Sequence, residues 1–199
     1  MDYLAHFLLT RLLLDPLRAG ASSRVITVAG GAGSLRRLRL RLDLLEAGLA
    51  PAGSTAPSGT APVPQAEDER GGPLAGLVAA GQAALARALF TFELARRLRG
   101  TGVTANAFHP GLVRTRLDRN LPWPLRLPVR LVSPLLRADC PTAVYLASSP
   151  QVQRASGQFF ANSSPVDLSP HSADLEAGRR LWEASERLTG VTGLVYKET

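Results

Sequence analysis

Cysteine is almost missing from this 199-residue chain, lysine is as scarce, and no Gly-x-Gly-x-x-Gly occurs anywhere. Cys140 stands alone, which excludes an intramolecular disulfide or a cysteine-built zinc site and fits a reducing compartment. His6, His109 and His171 are scattered without metal-ligand spacing, so no metal centre is expected. The sole lysine is Lys197, and the formal charge of +7 is otherwise carried by arginine. With so much Ala, Gly, Pro and Leu beside it, that excess reads as compositional bias, and no specific nucleic-acid partner is expected. Gly30–Ser34 is glycine-rich but fails the dinucleotide spacing and follows a strand as a simple turn. A long uninterrupted apolar run is also lacking. The opening "MDYLAHFLLTRLLLDPL" has Asp2 where a signal peptide has basic residues, and His6, Arg11 and Asp15 break it up. It is too short and too broken for a transmembrane segment and reads as an amphipathic helix.

What is present is an alternation of helices and strands. Residues 3–18 place Leu4, Phe7, Leu8, Arg11, Leu12 and Asp15 at helical spacing. Arg24–Gly30 carries the β-branched run Val25, Ile26, Thr27, Val28 and reads as a buried parallel strand. Arg36–Leu45 alternates Arg and Leu, which predicts an exposed extended segment with one greasy and one basic face. It has no interleaved aromatics for base stacking. Residues 50–73 are rich in Pro, Gly, Ser, Thr and Ala and are expected to form a disordered insertion rather than a domain boundary. From Leu77 to Leu98 an apolar face repeats through Leu77, Val78, Gly81, Leu85, Ala88, Leu89, Phe92 and Ala95. Arg96, Arg97 and Arg99 suit the C-terminal end of that helix, and Gly100 and Gly102 stop it. Gly102–Thr115 reads as a strand running into a Pro-Gly turn. Cys140–Pro150 reads as a helix, Ser156–Phe160 as a short strand and Ala173–Gly190 as an amphipathic helix. The pattern predicts one α/β domain over residues 1–199, with a parallel sheet of about three strands and flanking helices.

Four stretches then resemble one family: "HFLLTRLLLDPLRAGASSRVITVAG", "ALFTFELARRLRGTGVTANAFHPGLVRT", "AVYLASSPQVQRASGQFF" and "RLWEASERLTG". In this order and spacing they are similar to the short-chain dehydrogenases/reductases, and more closely to the retinol dehydrogenase branch. The resemblance covers nearly all of the chain outside residues 46–76 and 116–138. It implies a Rossmann-like fold and NADP(H)-dependent oxidation or reduction of retinoids and other lipid aldehydes. It also implies that the family's N-terminal nucleotide-binding half, with its glycine-rich turn, is missing here, which leaves a truncated, partial Rossmann-like sheet.

The family's chemistry, as the resemblance implies it, uses a Tyr and a Lys four residues apart on one helix and a Ser at the end of the preceding strand. Aligned on "LFT.ELARRL", the Tyr position falls on Ala80, the Lys position on Ala84 and an adjacent Ser on Ala83. The strand-end Ser falls on Gly30, after Ala29, and an Asn of an earlier helix falls on Asp2. A methyl group or a hydrogen can neither pass a proton nor hold an oxyanion, so no catalytic residue is expected. Tyr145, Tyr196 with Lys197, and His109 are not placed to replace them; His109 is expected to cap backbone in its turn. What survives is "HPGLVRT". The resemblance implies that Gly111, Leu112, Val113 and Thr115 meet the nicotinamide and phosphates of a cofactor.

The leading expectation is a catalytically inactive homologue, a pseudoenzyme with no cofactor as the chain stands. A working NADP(H)-dependent oxidoreductase and an arginine-rich RNA- or membrane-surface-binding protein are the alternatives. Cytoplasmic residence is expected, although family members are often associated with endoplasmic reticulum or mitochondrial membranes. The short sheet predicts an exposed apolar patch, covered by a second copy or a partner protein.

Overall fold

The computed structural model describes residues 3–20, 22–30, 35, 39–42, 73–111, 113, 139–168 and 174–191. Helix α1 (Leu4–Leu12) is followed by α2 (Leu14–Ala19), and strand β1 spans Arg24–Val28. The long helix α3 (Pro73–Arg97) leads to β2 (Thr104–His109), and α4 (Pro141–Ser148) leads to β3 (Phe159–Ala161). A two-residue β4 (Ser164–Pro165) and helix α5 (Leu175–Thr189) complete the described elements.

The sheet order is β1-β2-β3-β4. β1 and β2 run parallel in the register Arg24↔Thr104 to Val28↔Phe108, and β2 and β3 run parallel from Ala107↔Phe159 to His109↔Ala161. The parallel pairs require crossovers through α3 and α4. The sheet has one strand more than expected. β4 pairs antiparallel with β3 around Asn162 and Ser163, both with positive φ (51° and 60°). That is the backbone of a two-residue hairpin turn, written here without the glycine that usually signals it.

Alternation along β2 divides two cores. Ala105 and Ala107 belong to the larger one, and their small side chains let α3 lie close to the sheet. Phe108, Leu146, Val152 and Phe160 form the smaller one against α4. Asn106 is buried among them with its amide satisfied: Nδ2 donates to the Ala155 carbonyl and Oδ1 accepts from Gln158 N–H.

The larger core is built on aromatic rings. Phe90 of α3 stacks on Trp182 of α5 at 5.6 Å, and Phe7 of α1 meets both edge-on. Arg97 lies 4.2 Å over the Trp182 ring and Arg11 5.3 Å from it. Glu93, fully buried, accepts from Arg96 and Arg97. Burial raises its carboxyl pKa, but the two guanidiniums outweigh burial and hold it below the ordinary value. The buried Tyr3 hydroxyl bonds Ser185 Oγ at 2.8 Å, tying α1 to α5.

Two expectations need correction. The first helix is not continuous over 3–18 but breaks at Leu13. Pro16 has no N–H for the Leu12 carbonyl, so the ladder cannot run through. In the Arg–Leu strip, Arg39 and Arg41 are exposed while Leu40 and Leu42 pack on the larger core, as alternation predicts. The strip is more firmly attached than expected, because Gln82 of α3 donates to the Arg39 carbonyl and accepts from Arg41 N–H. Of the expected insertion only Pro73, which opens α3, falls among the described residues. Leu9, Leu12, Leu13 and Val28 are exposed on α1, its junction with α2 and the end of β1.

Candidate functional site at the C-terminal ends of the strands

Parallel strands bring their C-terminal ends to one edge, where α/β folds bind ligands. β1 ends at Val28, and Ala29 N–H bonds the Phe108 carbonyl at 2.8 Å, which aligns it with the end of β2. Gly30 comes next, and Ala84 of α3 lies directly against it. A Cβ built on Gly30 would sit 3.0 Å from the Ala84 Cβ. The strand end and the helix thus meet at a distance where any side chain on Gly30 would push Ala84 back by a few tenths of an ångström. Ala84 is buried, Ala83 is half-buried and Ala80, one turn earlier, is exposed. The structure therefore joins Gly30 and Ala84 and leaves Ala80 at the open end of the same helix face.

The next polar group on this face is Arg87, three residues beyond Ala84 and seven beyond Ala80. Its Nε donates to the Val28 carbonyl at 2.9 Å, holding the last residue of β1. His6 of α1 lies near it, 3.3 Å from Thr27 Oγ1 and edge-on to Phe90. Burial, and then the Arg87 charge, hold the His6 imidazole below its ordinary value of 6.5, so it stays neutral at physiological pH. Neither Arg87 nor His6 was among the expected site residues. Arg87 was legible from helical spacing, whereas His6 reaches the strand only through tertiary packing.

The Pro-Gly turn is retained. Gly111 has φ +78°, a conformation suited to glycine, and a Cβ built on it would meet nothing within 4 Å among the described residues. Val113 is half-buried. Leu112, Thr115 and Asp2 lie outside the described residues, as do Tyr196 and Lys197. His109 Nδ1 is buried and has no hydrogen-bond partner among the described residues. The Tyr145 hydroxyl donates to Gln151 Oε1 at 3.2 Å. Among the described residues no cluster of His, Cys, Asp and Glu could hold a metal ion, and no helix is long and apolar enough to cross a membrane.

A parallel sheet with helices on both faces and a Pro-Gly turn at its C-terminal edge defines a Rossmann-like α/β protein. The chain is 34% identical to human retinol dehydrogenase 14 over 202 residues, which is 96% of this chain and 51% of that protein. It is 34% identical to human retinol dehydrogenase 13, over 100% of this chain and 55% of that one. It is also 36% identical to human dehydrogenase/reductase SDR family member 13, over 96% and 46%. An uncharacterised protein from Mycobacterium Paratuberculosis superposes with a TM-score of 0.57 at 27% identity, covering 96% of this chain and 57% of that one. No family model matches. The chain belongs to the short-chain dehydrogenase/reductase family, on its retinol dehydrogenase-like branch. It spans about half the length of the curated relatives and matches their C-terminal half.

Proposed function

We propose that this chain is a non-catalytic member of its family, a pseudoenzyme retained for its fold and its contacts. One observation supports the reading: Ala80, Ala84 and Gly30 stand at the positions that the resemblance assigns to the acid, the ammonium and the oxyanion donor, and Ala84 lies close against Gly30. Removing a single general acid typically lowers a rate by about 10²–10⁴-fold, and groups acting as a unit fail together. The single cysteine supports a reducing, cytoplasmic setting. Half-exposed Val28 on the open edge of β1 supports association with a second copy or a partner protein.

A second reading, an NADP(H)-dependent oxidoreductase of retinal or lipid aldehydes, draws its support from the retained turn. Gly111 leaves the backbone accessible to a nicotinamide amide. This sequence carries no Gly-x-Gly-x-x-Gly turn of the kind that takes a pyrophosphate.

Two measurements separate the readings. Titration of the chain with NADPH, followed by nicotinamide fluorescence, is expected to show no saturable sub-millimolar binding. NADPH consumption with all-trans-retinal and medium-chain aldehydes is expected to stay at the protein-free rate. Saturable binding together with turnover above that rate would replace the pseudoenzyme reading with the second one.

A further inference from the structure

At the opposite edge of the sheet, where β2 and β3 begin, lies a cavity of about 880 Å³. That is within the range of small-molecule sites, roughly 300–1,000 Å³. Its walls are the last turns of α3, the 153–158 segment before β3, and the 165–168 stretch after β4. Gly30, Ala84 and Gly111 do not line it, so it is independent of the site above.

The chemistry of the walls is divided. Phe92, Leu98, Val103, Phe159 and Leu168 supply an apolar lining. Arg96, Arg99 and Arg154 supply three guanidiniums against one carboxylate, Asp167. Arg96 is held by Glu93, and Asp167 is engaged. Arg99 and Arg154 carry no hydrogen bond or ion pair among the described residues. Thr104, also on the lining, has a buried Oγ1 without a hydrogen-bond partner among the described residues, an arrangement that an acceptor or a water would relieve.

We propose that this cavity binds a single-chain amphipathic anion, its alkyl chain against the apolar lining and its charged head at Arg99 and Arg154. The apolar wall supplies affinity for the tail in proportion to the area removed from water. The guanidiniums of Arg99 and Arg154 select the sign of the head, since they have no competing partner among the described residues. The proposal does not depend on whether the family's chemistry survives, because no residue of that site is used.

The test is isothermal titration of the full chain with dodecanoate, dodecanol and dodecyltrimethylammonium, each below its micelle concentration. Dodecanoate is expected to bind saturably and the cation not at all. The double variant Arg99→Ala/Arg154→Ala should weaken dodecanoate by about tenfold or more while leaving dodecanol unchanged. Gln158→Trp, at an exposed lining position, should block both by filling the cavity. Circular dichroism of each variant establishes that it is folded. Three outcomes would overturn the proposal: dodecanol binding as tightly as dodecanoate, no dodecanoate binding to the folded chain, or binding undiminished in Gln158→Trp.

Discussion

Helix α3 carries two regions with opposite histories of use. Its second half, from Leu85 through Phe90 to Leu94, is buried against the sheet and α5, and its polar groups are paired. Its first half carries Ala80 and Ala84, the positions that resemblance assigns to the family's chemistry, and Ala84 lies close against Gly30. On the proposed reading, packing is kept where every side chain touches several others, and reactivity is given up where side chains serve substrate alone. A core position is held by many neighbours at once, whereas a catalytic position costs the fold nothing when it shrinks to alanine.

The comparison can be broken most directly at Trp182. Trp182→Ala removes the ring that Phe7, Phe90, Arg11 and Arg97 all contact, and should cost about 3–5 kcal/mol in denaturant unfolding. A loss below about 1 kcal/mol would show that the aromatic core is not what holds the helices together. At the other region, Gly30→Ser should cost about 1–3 kcal/mol, because its Cβ has only 3.0 Å to the Ala84 Cβ. Adding Ala84→Gly should recover part of that cost. If the double variant is no more stable than Gly30→Ser alone, the closure of this site is not a direct contact.

The smallest effect is expected from pH. His6 has a folded-state pKa below 6.5, so the unfolded chain takes up its proton first as pH falls. Stability contributed by neutral His6 is therefore present above about pH 6.5 and declines as pH drops through the lower folded value. His6→Gln should flatten that decline. Glu93 in the packed region should respond only in stronger acid, since its folded pKa lies below the ordinary 4.5. Unfolding curves between pH 7 and pH 4 distinguish the two; a decline identical in wild type and His6→Gln would remove His6 from the account.

The long elements could be read from periodicity because their burial is one-sided. α3, β1, β2 and α5 lie where the patterns put them, and the Asp174 side chain caps α5 by accepting from the Glu176 and Ala177 N–H groups. The hairpin at Asn162–Ser163 was not legible, because its left-handed turn is imposed by β3 and the 164–168 stretch rather than announced by glycine. The identities at Ala80, Ala84 and Gly30 could be assigned by resemblance, since "LFT.ELARRL" fixes the register. That Gly30 and Ala84 touch could not, because a contact between a strand end and a helix more than fifty residues on is visible only in the fold. The cavity at the far edge has no sequence signature, since its walls come from three separated segments.

The bond between Tyr3 and Ser185 joins positions 182 residues apart. Until α5 has been made, Tyr3 lacks the Ser185 hydroxyl and Phe7 lacks Trp182, although Phe90 of α3 is already available to both. Contacts so distant in sequence slow the closing step and lengthen the time that apolar surface stays open.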